Sequence, residues 1–580
     1  MKRYLCIALA VALAFTLFAA CANDSATETP DTTDSQPAEQ TDSSDNGTAD
    51  SNDADPAVSG NELLQLHVFT GNGMAADPES NVMRAIAEMF NIEVIWEIGM
   101  NPVEQLNIYL AAGDYPEIIS TNSPEVVAAY RSADKLIPFS DYMHLAPNIE
   151  ANIQRYLPFY EHEETGLIYG IPQGYGGGEY VDVAYSVRFD LLSQVHDDPG
   201  SIRTLSDWVD ALRLVLDTFP DVDGRPAYAF GFMLGEDWGA EWMMKNMLAM
   251  MGQTMHASCS FRVVGNERLE MVDFLGATQE YYDVMKLFNQ LYLEGMVDPE
   301  SAVMTYDDHA AKMYDGRLYT NNLQWEDDAI VASLAEMGND AVRMARLPIR
   351  WDGYTGGTFN VNKWAAGGTR VYMTDKFEHP ERLVELAEYL STDEGSVLVM
   401  WGVEGIDWVL EDGKMVFTPE TLDILRTDPQ ARTRLGITND AEINYFGHRN
   451  GLTPTGQFMQ FEVDSVFLDQ MYSDLDHMYL DLLGFESWNA PFFDDFIGSE
   501  NTALPIANVL PPNSEEAAIY VRAQQLLQRV TPQLLLARDD AEFERIYSGS
   551  IDELESMEYH RFVSIFAENL ERIQDRMGVN

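Results

Sequence analysis

The sequence predicts an α/β fold from two observations: a strand–helix–strand–helix–strand order between residues 64 and 120, and helical spacing that dominates the rest of the chain. Leu64, Leu66 and Val68 alternate with Gln65 and His67, the period-two pattern of a half-buried strand. Asp77-Pro78 then opens a helix, with Asp as the cap and Pro at the first helical position. Val82, Met83, Ile86, Met89 and Phe90 form its apolar stripe, and Ile92, Val94 and Trp96 share one face of a second strand. Val103, Leu106 and Leu110 lie in register on a second helix that Gly113 stops, and 116–120 is a third short strand. Such alternation builds a largely parallel sheet, whose ligands sit outside the carboxyl ends of the strands. On that rule the turn at 71–73 and the loop Gly113-Asp114-Tyr115 are candidate ligand-facing segments, with Asp114 as the candidate contact.

Further along, residues 205–216, 278–293, 380–390, 515–535 and 560–576 are helical by spacing, and strand-like pieces fall at 228–233, 345–350 and 369–373. No period of about 20–50 residues recurs, which excludes solenoids and propellers.

The N-terminus reads as an export and anchoring device. Lys2 and Arg3 precede an apolar run from Tyr4 to Ala20 that ends in Ala19-Ala20-Cys21, the layout of a secretory signal over residues 1–20. The cysteine after small residues resembles the lipobox of bacterial lipoproteins, in which Cys21 would be acylated; Phe18 stands where that pattern prefers a small residue. Residues 22–60 have no aromatic residue and no Lys or Arg, so they cannot bury enough apolar surface to offset chain entropy. Their like charges extend them. The expectation is a lipidated Cys21, a disordered acidic linker to residue 60, and a folded body over 61–580 on the extracellular face of the membrane.

Composition narrows the function. With 95 acidic against 35 basic residues the formal net charge is −60, which excludes nucleic-acid binding by counterion displacement. The chain is 46% hydrophobic and 11% aromatic, ordinary for a globular body. Of three cysteines, Cys6 leaves with the signal and Cys21 takes lipid; Cys259 is then alone and reads as a small buried hydrophobe.

Seven segments in one order resemble the carbohydrate-type solute-binding lipoproteins of ABC importers. They are Gly113-Asp114-Tyr115-Pro116-Glu117, Leu136-Ile137-Pro138-Phe139, Pro147-Asn148-Ile149, Gly166-Leu167-Ile168-Tyr169-Gly170-Ile171-Pro172, Arg188-Phe189-Asp190-Leu191-Leu192, Thr204-Leu205-Ser206-Asp207-Trp208 and Gly402-Val403-Glu404-Gly405-Ile406-Asp407-Trp408. The resemblance implies a type II periplasmic-binding-protein-like fold. It has two discontinuous α/β lobes joined by a hinge, with a helical C-terminal part. Residues 61–180 would supply mainly one lobe, 181–330 mainly the other, and 331–580 both. It also implies a monomer that passes a sugar to ABC permease subunits, with no catalysis and no cofactor. Arg188 and Glu404 lie in these segments and are candidate ligand contacts. Many relatives have an acidic calcium-like loop after the helix near residue 215; here Asp221-Val222-Asp223-Gly224-Arg225 lacks its alternating ligands, and no metal is expected.

Sugar sites need flat aromatic faces and planar polar groups. The chain has 10 Trp and 27 Tyr, and four clusters set aromatics beside acids or glycines. Tyr175 and Glu179 lie in the glycine-rich loop 173–180. Trp238 and Trp242 neighbour Glu236, Asp237 and Glu241. Trp325 sits between Gln324 and Glu326, and Tyr354 follows Gly353. The glycine-rich loop lacks Gly-Lys-Ser/Thr and is no phosphate cradle. His162-Glu163-Glu164 lacks a second His at helical spacing for zinc, and no Gly-x-Ser-x-Gly elbow occurs. Two carboxylates suffice for a glycosidase, so a secreted carbohydrate-active enzyme or a surface sensor stays as the alternative.

Overall fold

The computed structural model describes residues 63–579 except 72–75, 100, 122, 163–164, 174–177, 182, 266–267, 360, 365–368, 429, 438–445, 447–450, 494–495, 498–509 and 511–513. The strand Leu64–Thr70 lies parallel to Ile92–Ile98 on one side, with Leu64 opposite Ile92, and to Ile118–Ser120 on the other, with Val68 opposite Ile118. Leu66 and Val68 are buried as their alternation predicts; Phe69 and Thr70 are buried too, because the end of this central strand is covered on both faces.

The first helix starts later than the sequence reading placed it. It spans Asn81–Phe90, capped by Ser80 Oγ accepting from Met83 N at 3.2 Å. Asp77 instead closes the preceding turn, accepting from Glu79 N through its side chain and from Ser80 N through its carbonyl. Val82, Met83 and Ile86 face the core, and Asn91 ends the helix in the left-handed region. The second helix, Pro102–Ala112, stops at Gly113, whose φ of +72° is the conformation that favours glycine. Leu106 buries completely while Val103 stays exposed.

This sheet is completed from far downstream. Thr369–Thr374 pairs antiparallel with Ile118–Ser120, Leu136–Ile137 and Gly170–Pro172. One apolar core therefore gathers residues from Leu66 to Ile171 and again from Val371 to Phe467. A second core gathers Tyr185 to Ile349 and Tyr479 to Val579, with Tyr156. Its central sheet has Ser186–Arg188 between Thr320–Asn321 and Met344–Arg346, both antiparallel to it. Around it stand the helices Leu205–Thr218, Gln279–Leu293, Glu515–Leu535, Asp540–Ser556 and His560–Arg576. The stretch 228–233 makes only isolated bridges, Tyr228 to Leu318 and Phe230 to Val297, and is no strand.

The chain passes between the cores near 173–184, 352–370 and 472–474. The first two passages pair as antiparallel strands, Gly178–Val181 with Val361–Trp364. That pair fixes which ends face one another. Gly170–Pro172 runs into it, so the carboxyl ends of the first lobe's parallel strands, at Gly71, Gly99 and Thr121, lie on the hinge side. Ser186–Arg188 leaves it, so its amino end, and the carboxyl end of its antiparallel neighbour Thr320–Asn321, also lie on the hinge side.

The first lobe's core is anchored by Trp401. It is fully buried, stacks on Phe417 with centroids 5.0 Å apart, and donates its Nε1–H to Met459 O at 3.0 Å. Trp401→Ala should cost about 3–5 kcal/mol, read as a lower denaturant midpoint for this lobe.

Candidate functional site

The helix Gly239–Ala249 builds one wall. Methionines fill its buried side (Met243, Met244 and Met247), while Trp238 and Trp242, four residues apart, share the other side. Their rings meet edge-on with centroids 6.4 Å apart. Trp325, from the turn after Thr320–Asn321, packs against Trp242 at 5.0 Å, and Tyr306 lies 6.1 Å from Trp238. Trp238 is 37% and Trp325 47% exposed, unusual for indoles that already have partners. Lys245 Nζ sits 4.6 Å above the Trp242 ring.

The turn 322–326 is fastened from two sides. Trp242 Nε1 donates to Asn322 O at 2.6 Å, and Asn246 Nδ2 donates to the same carbonyl at 3.2 Å. Beneath it, Asp327 accepts from Ser186 Oγ at 2.6 Å and Asn321 Nδ2 at 2.9 Å on one oxygen, and from Arg346 on the other. Arg346 also donates to Gln324 O at 3.1 Å. Burial pushes the Asp327 carboxyl up, opposed by Arg346 and these donors.

Beside the indoles lie polar atoms with nothing to bond. Both ends of the Asn322 amide, Asn246 Oδ1 and Gln324 Oε1 are buried without a partner among the described residues. Asn322 is 2% exposed and Asn246 0%. Each such group costs about 1–3 kcal/mol.

Of the residues singled out in the sequence, Trp238, Trp242 and Trp325 come together here. Tyr354 does not join them. It lies by the far end of the same helix, beside Gly252, and donates its hydroxyl to Gly357 O at 3.1 Å. Arg188 is spent elsewhere: at the end of its strand away from the hinge, it makes a buried bidentate pair with Asp190, at 2.8 and 2.7 Å. Asp114 precedes its strand and so stands at the amino end of the sheet, exposed, 3.4 Å from Lys376; the carboxyl-end rule excludes that loop. Glu404 is exposed in the turn 402–407, which touches the first helix through Asn81 Nδ2 and Asp407 Oδ1 at 2.9 Å. Tyr175 lies outside the described residues, and Glu179 is in the hinge strand Gly178–Val181, with its side chain outside them. Sequence reasoning missed Tyr306, Asn246 and Asn322, which single-residue context does not mark as polar groups near the indoles. Among the described residues no cluster of three or more His, Cys, Asp or Glu could hold a metal, and no helix is long and apolar enough to cross a membrane.

No family model and no curated protein matches the chain. Solved structures do. An alginate-binding protein, AlgQ2, superposes with a TM-score of 0.59 at 16% identity, covering 88% of this chain and 99% of its own. The ABC-transporter substrate-binding protein FusA of S. pneumoniae, an EF-hand mutant bound to fructo-nystose, gives 0.61 at 16% over the same shares. An HMO-binding solute-binding protein from Bifidobacterium longum infantis gives 0.57 at 14%, again over 88% and 99%. The chain has the two-lobed solute-binding-protein fold. Within this solute-binding fold, the aromatic wall belongs to the second lobe, and it opens on the hinge side, where the first lobe's strands end.

Glu241, between the two tryptophans in sequence, turns away from them and accepts from Ser258 Oγ and Ser258 N. Burial holds its carboxyl above the ordinary 4.5, against those two donors. Between the unfolded and the raised folded pKa the native chain binds the extra proton, so this group's contribution falls as pH rises through that interval. Glu241→Gln should therefore gain in melting temperature relative to the parent as pH increases from 4.5. Calorimetric scans across pH check this, and a pH-independent difference would contradict it.

Proposed function

We propose that this chain is an extracytoplasmic solute-binding lipoprotein that captures a sugar or oligosaccharide between its lobes and delivers it to the permease of an ABC importer. One observation carries the reading: three indoles and a tyrosine, two of the indoles more than a third exposed, stand beside buried amide ends that lack partners among the described residues. Flat aromatic faces match the C–H surfaces of sugar rings, and unpaired amides match their hydroxyls. The ligand complexes of similar folds, with kestose and fructo-nystose, support the oligosaccharide class. A ligand touching both lobes binds the closed state better and shifts the population towards it.

The chain acts as a carrier and not as an enzyme. Of the carboxylates around the indoles, Glu326 accepts from two tyrosine hydroxyls, Glu241 from Ser258 and Glu236 from Tyr306 N. Residues 1–20 are the signal peptide, Cys21 holds the lipid, and the acidic segment to residue 60 spaces a monomeric body from the extracellular membrane face. Ligand contacts are assigned to Trp238, Trp242, Trp325, Asn246 and Asn322.

Calorimetric titration against mono- and oligosaccharides, with product analysis, tests the function. Heat of binding with the sugar recovered intact is expected. Cleaved product would make the chain a glycosidase, and silence across the panel would sink the sugar assignment. Trp238→Ala and Trp325→Ala should each weaken the binding about tenfold or more, about 1.4 kcal/mol, with the fold intact.

A further inference from the structure

We infer that Glu326 is the positioning residue of the aromatic wall. The inference rests on the sugar-binding reading above but adds a residue that touches no ligand. Glu326 is 8% exposed, and its two carboxylate oxygens accept from two tyrosine hydroxyls on another helix, Oε1 from Tyr306 and Oε2 from Tyr314. Those tyrosines stand at the two ends of the helix Tyr306–Tyr314, so one carboxylate grips the helix at both ends.

The consequence reaches two indoles through Tyr306. Its hydroxyl accepts from Trp325 Nε1 at 3.4 Å, and its ring packs on Trp238 at 6.1 Å. Its backbone N donates to Glu236 Oε1 at 3.0 Å, tying the helix start to the segment that leads into Trp238. Glu326 is also the residue after Trp325 and the residue before Asp327, whose bonds to Arg346, Ser186 and Asn321 root the turn in the lobe's central sheet. A rigid sheet thus holds Asp327, the turn holds Glu326, and Glu326 holds the tyrosine that sets Trp325 and Trp238. Burial and the bond to Glu326 keep both tyrosine hydroxyls protonated well above their usual range, so they remain donors throughout the physiological pH range. Preorganised stacking surfaces of this kind raise affinity by lowering the ordering cost at binding.

The experiment compares Tyr306→Phe, Glu326→Ala and Glu326→Gln in the full-length chain, with and without the tightest sugar of the panel. Tyr306→Phe removes one oxygen, keeps the ring, and guards against a Glu326→Ala that fails to fold. In ligand-free protein, Tyr306→Phe and Glu326→Ala should change the near-ultraviolet circular dichroism of tryptophan and increase quenching of indole fluorescence by acrylamide. Both should weaken sugar binding about tenfold, and Glu326→Gln, which retains an acceptor oxygen, should recover most of both signals. Unchanged indole signals in folded Tyr306→Phe and Glu326→Ala would overturn the positioning role whatever the ligand. Altered indole signals in the variants, with a parent chain that binds no sugar, would leave the positioning role standing and remove the sugar reading alone.

Discussion

Everything in the site depends on the pairing of Gly178–Val181 with Val361–Trp364. Two cores, each built from separated pieces of chain, share few covalent passages, and this strand pair makes two of them run side by side. Strand polarity then leaves no freedom. The strand that enters the hinge ends there, the strand that leaves it begins there, and each sheet's neighbouring ends follow from parallel or antiparallel pairing. The carboxyl ends of Leu64–Thr70 and Ile118–Ser120 and the turn after Thr320–Asn321 are placed on the hinge side by backbone hydrogen bonding alone. Phe492 and Ile497 reinforce this place: Phe492 packs on Val181 and Ala184, and Ile497 N donates to Thr358 O at 2.7 Å.

On that frame the second lobe spends stability on its wall. Burying Trp238 and Trp325 fully would gain about 25 cal/mol for each Å² of apolar area, yet both remain substantially exposed. The Asn322 amide, without a partner among the described residues, adds a further cost. The surrounding network offsets these losses: the Asp327–Arg346 pair, the Trp242–Asn322 bond and the tyrosine pair on Glu326 are all satisfied.

Much of this was legible in the sequence. Helices at 380–390 and 515–535 appear as Pro380–Leu390 and Glu515–Leu535, because an apolar stripe and a start signal such as Pro380 are local facts. The alternation in Leu64–Val68 likewise identifies its strand, while Trp238, Trp242 and Trp325, which fall in two separate clusters in sequence, meet only in space. Errors arise where side-chain geometry or sheet polarity, which spacing does not show, decides the outcome. Asp77 and Ser80 both suit a cap, and only the turn between them selects Ser80. Arg188 resembles a ligand contact until Asp190, two residues on, is seen to take its guanidinium in a buried pair. Asp114 was assigned to the wrong end of the sheet because its loop precedes a strand. The helix Gly239–Ala249 went unread because methionines and alanines bury most of its circumference and leave no clean amphipathic stripe.

The most direct test is the structure of the chain crystallised with the sugar that binds it best. The account predicts sugar rings on Trp325, Trp242 and Trp238, with hydroxyls bonded to the Asn322 side chain and to Asn246 Oδ1, and the strand ends of the first lobe closed over the other face. A ligand bound elsewhere, with Asn322 still unpaired, would contradict it.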